Sequence, residues 1–178
     1  MRYVLVDRIV SLTPGVMLRA IKNVSAADDM VTRYAPGRWA LPATMVLEAM
    51  AQAAGLLVVA TLGGKALPVL AKVRPFSSYR DAVPGDQMIL DARLEHLGHG
   101  GCRASATASV DGCRVADATI YLVLLPFEDG AASGGPALSI AGRPLLAALT
   151  DAFPGWFDSL ELVSKPVAQG FSPASRQP

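Results

Sequence analysis

Charge, aromatic rings and cysteine are all scarce in this chain, and each shortage closes off a class of function. Only 17% of the 178 residues are charged, and sixteen basic against fifteen acidic residues leave a net charge near +1. That balance supplies no field to draw in a nucleic acid or an anionic membrane surface. Two cysteines, Cys102 and Cys113, make no disulfide framework. Asp111-Gly112 reads as a two-residue hairpin turn that sets Val110 opposite Cys113. Cys102 then lies about eight residues up its strand, on the order of 26 Å away, beyond disulfide reach. Both are expected as free thiols in a reducing cytosol. The opening "MRYVLVDRIV" lacks the long apolar core and cleavage site of a secretory signal, so a cytoplasmic location is expected. There is no metal-ligand cluster, and "GGCRASA" lacks the Lys-Ser/Thr pair of a phosphate-binding loop. Neither metal nor cofactor is expected.

What is abundant is small and apolar. The chain is 52% hydrophobic but 6% aromatic, so Ala, Val and Leu must build the core of what its length suggests is one domain. "YVLVDRIVSL" and "VMLRAIKNV" read as strands split by Thr13-Pro14-Gly15. In the second, Val16, Leu18, Ala20, Lys22 and Val24 alternate with Met17, Arg19, Ile21 and Asn23. The polar "AADDM" leads into a loop containing Pro36, Gly37 and Pro42. From Ala43 to about Leu62 strong helix formers dominate, Pro42 stands at the first turn and Gly63-Gly64 closes the end. "LPVLAKVRPF", "DQMILDARLEHL", "CRASATASV" and "CRVADATIYLVLL" read as four further strands. One long helix without a polar face, followed by an antiparallel meander, predicts an α+β fold with the sheet wrapped around the helix. The division expected is a folded domain over 1–125, a flexible linker over 126–141 and a partly helical extension over 142–178 ending in a disordered tail.

Within that helix stands one carboxylate, Glu48, with Gln52 one turn on. The run is long enough to span a membrane, but a mid-membrane carboxylate costs roughly 2.5 kcal/mol or more. The short connections to amphipathic strands also favour a soluble sheet. Two readings remain from spacing alone: a buried structural group, or a carboxyl whose apolar site raises its pKa so that it can deliver a proton near neutrality.

Several islands occur in a telling order: "LVDRIVSLTPG" with "AIKNVS", "YAPG" before "LPATMVLEAMAQAAG", "VPGDQMILDARL" and "SVDGCRVADATI". Over roughly Tyr3 to Leu124 the chain resembles the β-hydroxyacyl-acyl-carrier-protein dehydratases of fatty-acid synthesis, which have the hotdog fold. The resemblance implies a dimer in which a His of His-Phe-Pro-Gly takes the α-proton of a thioester. A helix Glu from the other subunit handles the departing β-hydroxyl. A backbone N–H at the helix start polarises the carbonyl. Glu48 matches the Glu, Pro36 and Gly37 match the Pro-Gly, and Pro42-Ala43 stands where a Pro-Gly is expected. Tyr34 occupies the His position. A phenol of pKa near 10 is about 0.1% ionised at pH 7, so general-base help of about 10²–10⁴-fold is at stake. The favoured reading of Tyr34 is a ring filling the space the His left, ahead of a hydrogen-bond donor to the thioester.

His96 and His99 flank a Gly-rich hairpin loop and are not expected to replace the missing base. Trp39 and Arg38 border the substrate entrance, and Ala49, Ala53 and Gly55 suit an acyl tunnel or close packing equally. The resemblance implies an acidic acyl carrier protein as partner, for which Arg33, Arg38, Lys72, Arg74 and Arg80 are candidate rim charges. Three functions follow: a dehydratase-like lyase, a hotdog thioesterase using Glu48, Gln52 and the Ala43 N–H, or a non-catalytic acyl-binding or partner subunit.

Overall fold

The computed structural model describes residues 4–98 and 100–126. His99 lies outside the described residues, as do the expected linker beyond Pro126 and the extension with Phe153, Trp156 and Phe157. Strands β1 (Arg8–Thr13) and β2 (Met17–Asn23) form a hairpin around Gly15, whose φ of +77° is open to glycine at little steric cost. The first strand starts later than its apolar run suggests. Leu5 gives its N–H to the Gln52 side chain at 2.9 Å rather than to a ladder partner, and pairing begins at Arg8.

The segment read as a loop is instead a small hairpin of β3 (Thr32–Ala35) and β4 (Arg38–Ala40). Pro36 and Gly37 form its tip, and Gly37 takes a φ of +72°. A Pro followed by a left-handed Gly suits a tight turn. The signal was there, but four- and three-residue strands carry too few residues to show alternation.

Helix α1 spans Ala43–Thr61, with Pro42 as N-cap and left-handed Gly63 and Gly64 just past the end. Its mean hydropathy of 1.7 would suit a membrane span, but 56% of that apolar window is buried against the chain's own strands. Met50, Leu57 and Val58 are wholly enclosed, each worth about 1.5–3 kcal/mol relative to exposure. It is therefore the core helix of the domain.

Strands β5 (Ala66–Ser78), β6 (Gln87–Leu97), β7 (Gly101–Val110) and β8 (Cys113–Pro126) complete an antiparallel six-stranded sheet in the order β1-β2-β6-β7-β8-β5. The helix packs on β2, β5, β6, β7 and β8. The inner face is built largely from small residues, with Cys102, Ala104, Ala106 and Ala108 of β7 all buried. The Asp111-Gly112 turn sets Val110 opposite Cys113 as predicted, and both cysteines are free, Cys102 buried and Cys113 exposed. Burial pushes the Cys102 thiol above its ordinary pKa.

Lys22 also faces inward, as its place in the alternation requires. Its ammonium meets Asp28 at 2.8 Å and lies 4.0 Å from Asp7. Burial alone pushes the Asp28 carboxyl up. The Lys22 hydrogen bond, the Met30 N–H and the Lys22 charge outweigh that and hold it below the ordinary value.

Candidate active site

Glu48 is half-buried on α1, and its Oε1 accepts a 3.0 Å hydrogen bond from Gln52 Nε2. Residues i and i+4 share a helix face, so their proximity follows from the helix itself. The orientation of the Gln52 amide is then set from outside the helix. Its oxygen accepts the N–H of buried Leu5, which leaves the NH₂ group for the carboxylate. A backbone donor thus aims the amide that holds Glu48.

At the helix start the Met45 and Val46 N–H groups turn back to the Pro42 carbonyl at 2.8 and 3.0 Å. Ala43 and Thr44 are exposed there, and the first N–H groups of a helix have no carbonyl one turn behind them. Together with the helix dipole they favour a developing negative charge. Among the described residues the approach is fixed by one isolated bridge, Leu41 N–H to the Ala82 carbonyl at 2.8 Å.

That bridge brings the β3–β4 hairpin over the β5–β6 connection. Between them opens a cleft of about 520 Å³ lined by Tyr34, Gly37, Arg38, Trp39, Asp81, Val83 and Pro84. Tyr34 is 51% exposed and donates its phenolic hydrogen to Asp81, so in the single chain it does not plug an enclosed space. The Arg38 guanidinium lies 5.6 Å from the Tyr34 ring centroid. The Asp81 hydrogen bond holds the phenol above its ordinary pKa, desolvation adds to this, and the Arg38 charge opposes it. Tyr34 is therefore protonated at neutral pH, even more firmly than a free phenol.

The expected site residues fall into two groups. Tyr34, Gly37 and Trp39 share the cleft, with Pro36 at the exposed hairpin tip. Glu48 and Gln52 lie along the helix and do not line that cleft, while Pro42 and Ala43 stand at its N-terminus. His96 is exposed and lines a separate cleft with Arg103 and Tyr121. Sequence reasoning missed Asp81 and the Leu5 N–H, because each meets its partner across 47 positions of chain. Among the described residues no group of three or more metal-ligating side chains converges.

Comparison with known proteins decides the family. A FabA-like domain model matches residues 1–119. The chain belongs to the FabA-like family. Two relatives of this FabA-like protein are 3-hydroxyacyl-acyl-carrier-protein dehydratases named FabZ, from Klebsiella pneumoniae and Salmonella arizonae. Each is 38% identical over 122 residues, covering 66% of this chain and 80% of the relative. Solved hotdog structures share the architecture. A Streptococcus mutans protein bound to acetyl CoA superposes with a TM-score of 0.59 at 18% identity, over 71% of this chain and 94% of its own. A hypothetical thioesterase with coenzyme A from Streptococcus pneumoniae gives 0.57 at 14%, over 67% and 88%. At such identities these two establish the fold alone.

In this FabA-like domain Arg33, Arg38, Lys72, Arg74 and Arg80 are all exposed. Arg38 and Lys72 lie over tyrosine rings, and Arg80 sits 3.5 Å from Asp86.

Proposed function

We propose that the chain is a dehydratase-like lyase acting on β-hydroxyacyl and enoyl thioesters of acyl carrier protein, in fatty-acid or related acyl-chain synthesis. The observation that carries this reading is the Leu5–Gln52–Glu48 chain of hydrogen bonds, which holds one carboxyl in a fixed direction on the core helix of a FabA-like domain. In dehydration the α C–H pair becomes the new π bond as the α-proton passes to a solvent water, the β C–O bond breaks, and the hydroxyl leaves as water after taking a proton from Glu48, whose carboxylate then regains one from solvent. The Ala43 N–H steadies the thioester oxygen as charge develops on it. Tyr34, with its proton held by Asp81, is a donor and not the α-base, so turnover is weaker than a His would give.

The working unit in this reading is a homodimer. Strand β5 ends the sheet, bonded to β8 on one side, and Leu70 beside its free edge is 42% exposed. Pairing of two copies along β5 would extend the sheet and hide that edge. The pair of subunits then joins residue 34 of one copy to Glu48 of the other, as the family resemblance implies. The reading carries a cytoplasmic location and no cofactor.

The test is an assay of crotonyl and 3-hydroxybutyryl thioesters, following enoyl absorbance and free thiol together. Hydration lost in Glu48→Gln and increased in Tyr34→His is the expected result. Thiol release that depends on Glu48, without hydration, would make the protein a thioesterase instead. Silence in both channels, Tyr34→His included, would leave an acyl-binding or partner subunit.

A further inference from the structure

The outer face of the sheet, away from the helix, carries an apolar patch beside a basic and aromatic row. On β5 and β8 the pairs Val69–Val123 and Leu67–Leu125 stand opposite each other. Val69, Val123 and Leu125 are 40%, 42% and 40% exposed. One step along, Lys72, Tyr121, Arg103 and His96 are successive cross-strand neighbours over β5, β8, β7 and β6. Lys72 lies 5.7 Å from the Tyr121 centroid, and Arg103 is bonded to Glu95 at 2.8 Å. A cleft of about 490 Å³ runs between the row and the patch, lined by Tyr121, Val123, Arg103 and His96 among others.

We propose that this face is the docking site for the chain's own segment 144–163. Three observations single out that occupant. The chain leaves the sheet from the patch itself, since Leu125 and Pro126 close β8. The segment "PLLAALTDAFPGWFDSLELV" pairs Leu, Phe and Trp residues with Asp151, Asp158 and Glu161 and has no basic residue. Its charge of −3 complements a row where Lys72 and Arg103 outweigh Glu95. The intervening stretch, 127–143, is rich in Gly, Ala and Ser, and a coil of that length and composition would reach on the order of 22 Å. That is ample to return to a patch that begins at the previous residue. The apolar side chains would cover Val69, Val123 and Leu125 while the acids meet Lys72 and Arg103. This docking stands apart from the reading of Glu48 and does not depend on it.

The test uses the full chain with Trp39→Phe, which leaves Trp156 as the sole tryptophan. Docking predicts a blue-shifted Trp156 emission and several-fold lower acrylamide quenching than in the urea-unfolded chain. It also predicts amide exchange over 144–163 slowed about tenfold or more, a factor equivalent to about 1.4 kcal/mol. Val123→Asp abolishes both signals, and so does Lys72→Glu with Arg103→Glu, a surface pair that leaves the core untouched. Trp156 quenched as readily as in the unfolded chain overturns the proposal. So does protection of the β8 face that appears only with concentration-dependent assembly, which would assign the patch to a second copy.

Discussion

Replacing Gln52 by Leu tests whether the Leu5–Gln52–Glu48 connection holds the site together. Leucine keeps the bulk and the helix propensity but can neither accept nor donate a hydrogen bond. Leu5 is wholly buried, and its N–H has the Gln52 oxygen as acceptor at 2.9 Å. Stranding such a donor costs roughly 1–3 kcal/mol. With a urea m-value of about 1–3 kcal/mol per molar, the unfolding midpoint should fall by on the order of 1 M. Glu48 loses its 3.0 Å donor at the same time. Turnover of a crotonyl thioester should then drop about tenfold or more in kcat with KM little changed, since aim is lost and not binding. Urea titration by circular dichroism reads the first effect and steady-state kinetics the second. Gln52→Glu, which keeps an acceptor for Leu5, should recover most of the stability and little of the activity. An unchanged midpoint and unchanged kcat in Gln52→Leu would refute the whole line of reasoning.

Other outcomes follow from named contacts. Asp28 is held below its unfolded pKa, so its contribution is complete above about pH 4–5 and is lost as pH falls through the lowered folded value. Lys22→Met should flatten that acid dependence and, by leaving a mostly buried carboxylate without its cation, cost about 2–4 kcal/mol at pH 7 in denaturant titrations. Asp81→Asn replaces the carboxylate that raises Tyr34 by a neutral, weaker acceptor, so the phenolate absorbance of that residue should appear at lower pH than in the parent. A Cβ on Gly101 would sit 2.8 Å from the Leu122 carbonyl oxygen, so Gly101→Ala should cost about 1–3 kcal/mol of stability, seen by calorimetry as a lower thermal midpoint.

The sequence was most informative where one local rule acted on many residues. Nineteen residues of α1 lie within the predicted bounds, because helix formers filled the run and Pro42 and Gly63 marked its ends. The four later strands matched for the same reason, and Asp111 and Gly112 both take the positive φ their turn requires. The β3–β4 hairpin escaped because its strands are too short for alternation to show. Leu5, before Arg8, escaped because a side chain 47 positions away took its N–H. At the site, Glu48 stood out as a carboxylate in an apolar helix, and the family resemblance gave it a role. The Tyr34–Asp81 contact had no local signal, since only folding brings β3 against the β5–β6 connection.

Strand β7 meets the helix with methyl groups and one thiol: Cys102, Ala104, Ala106 and Ala108. An alanine side chain has no rotamers to exchange. Wherever the sheet rests on this strip, the interior cannot make room by turning a side chain aside. Longer side chains come from the other elements, Met50 and Leu57 of α1 and Met88 and Leu90 of β6 inside the core and Met45, Leu47, Phe76 and Leu94 at its margin. A larger side chain on β7 must therefore be taken up in the spacing between the sheet and the helix, because the strip itself has nothing to fold away.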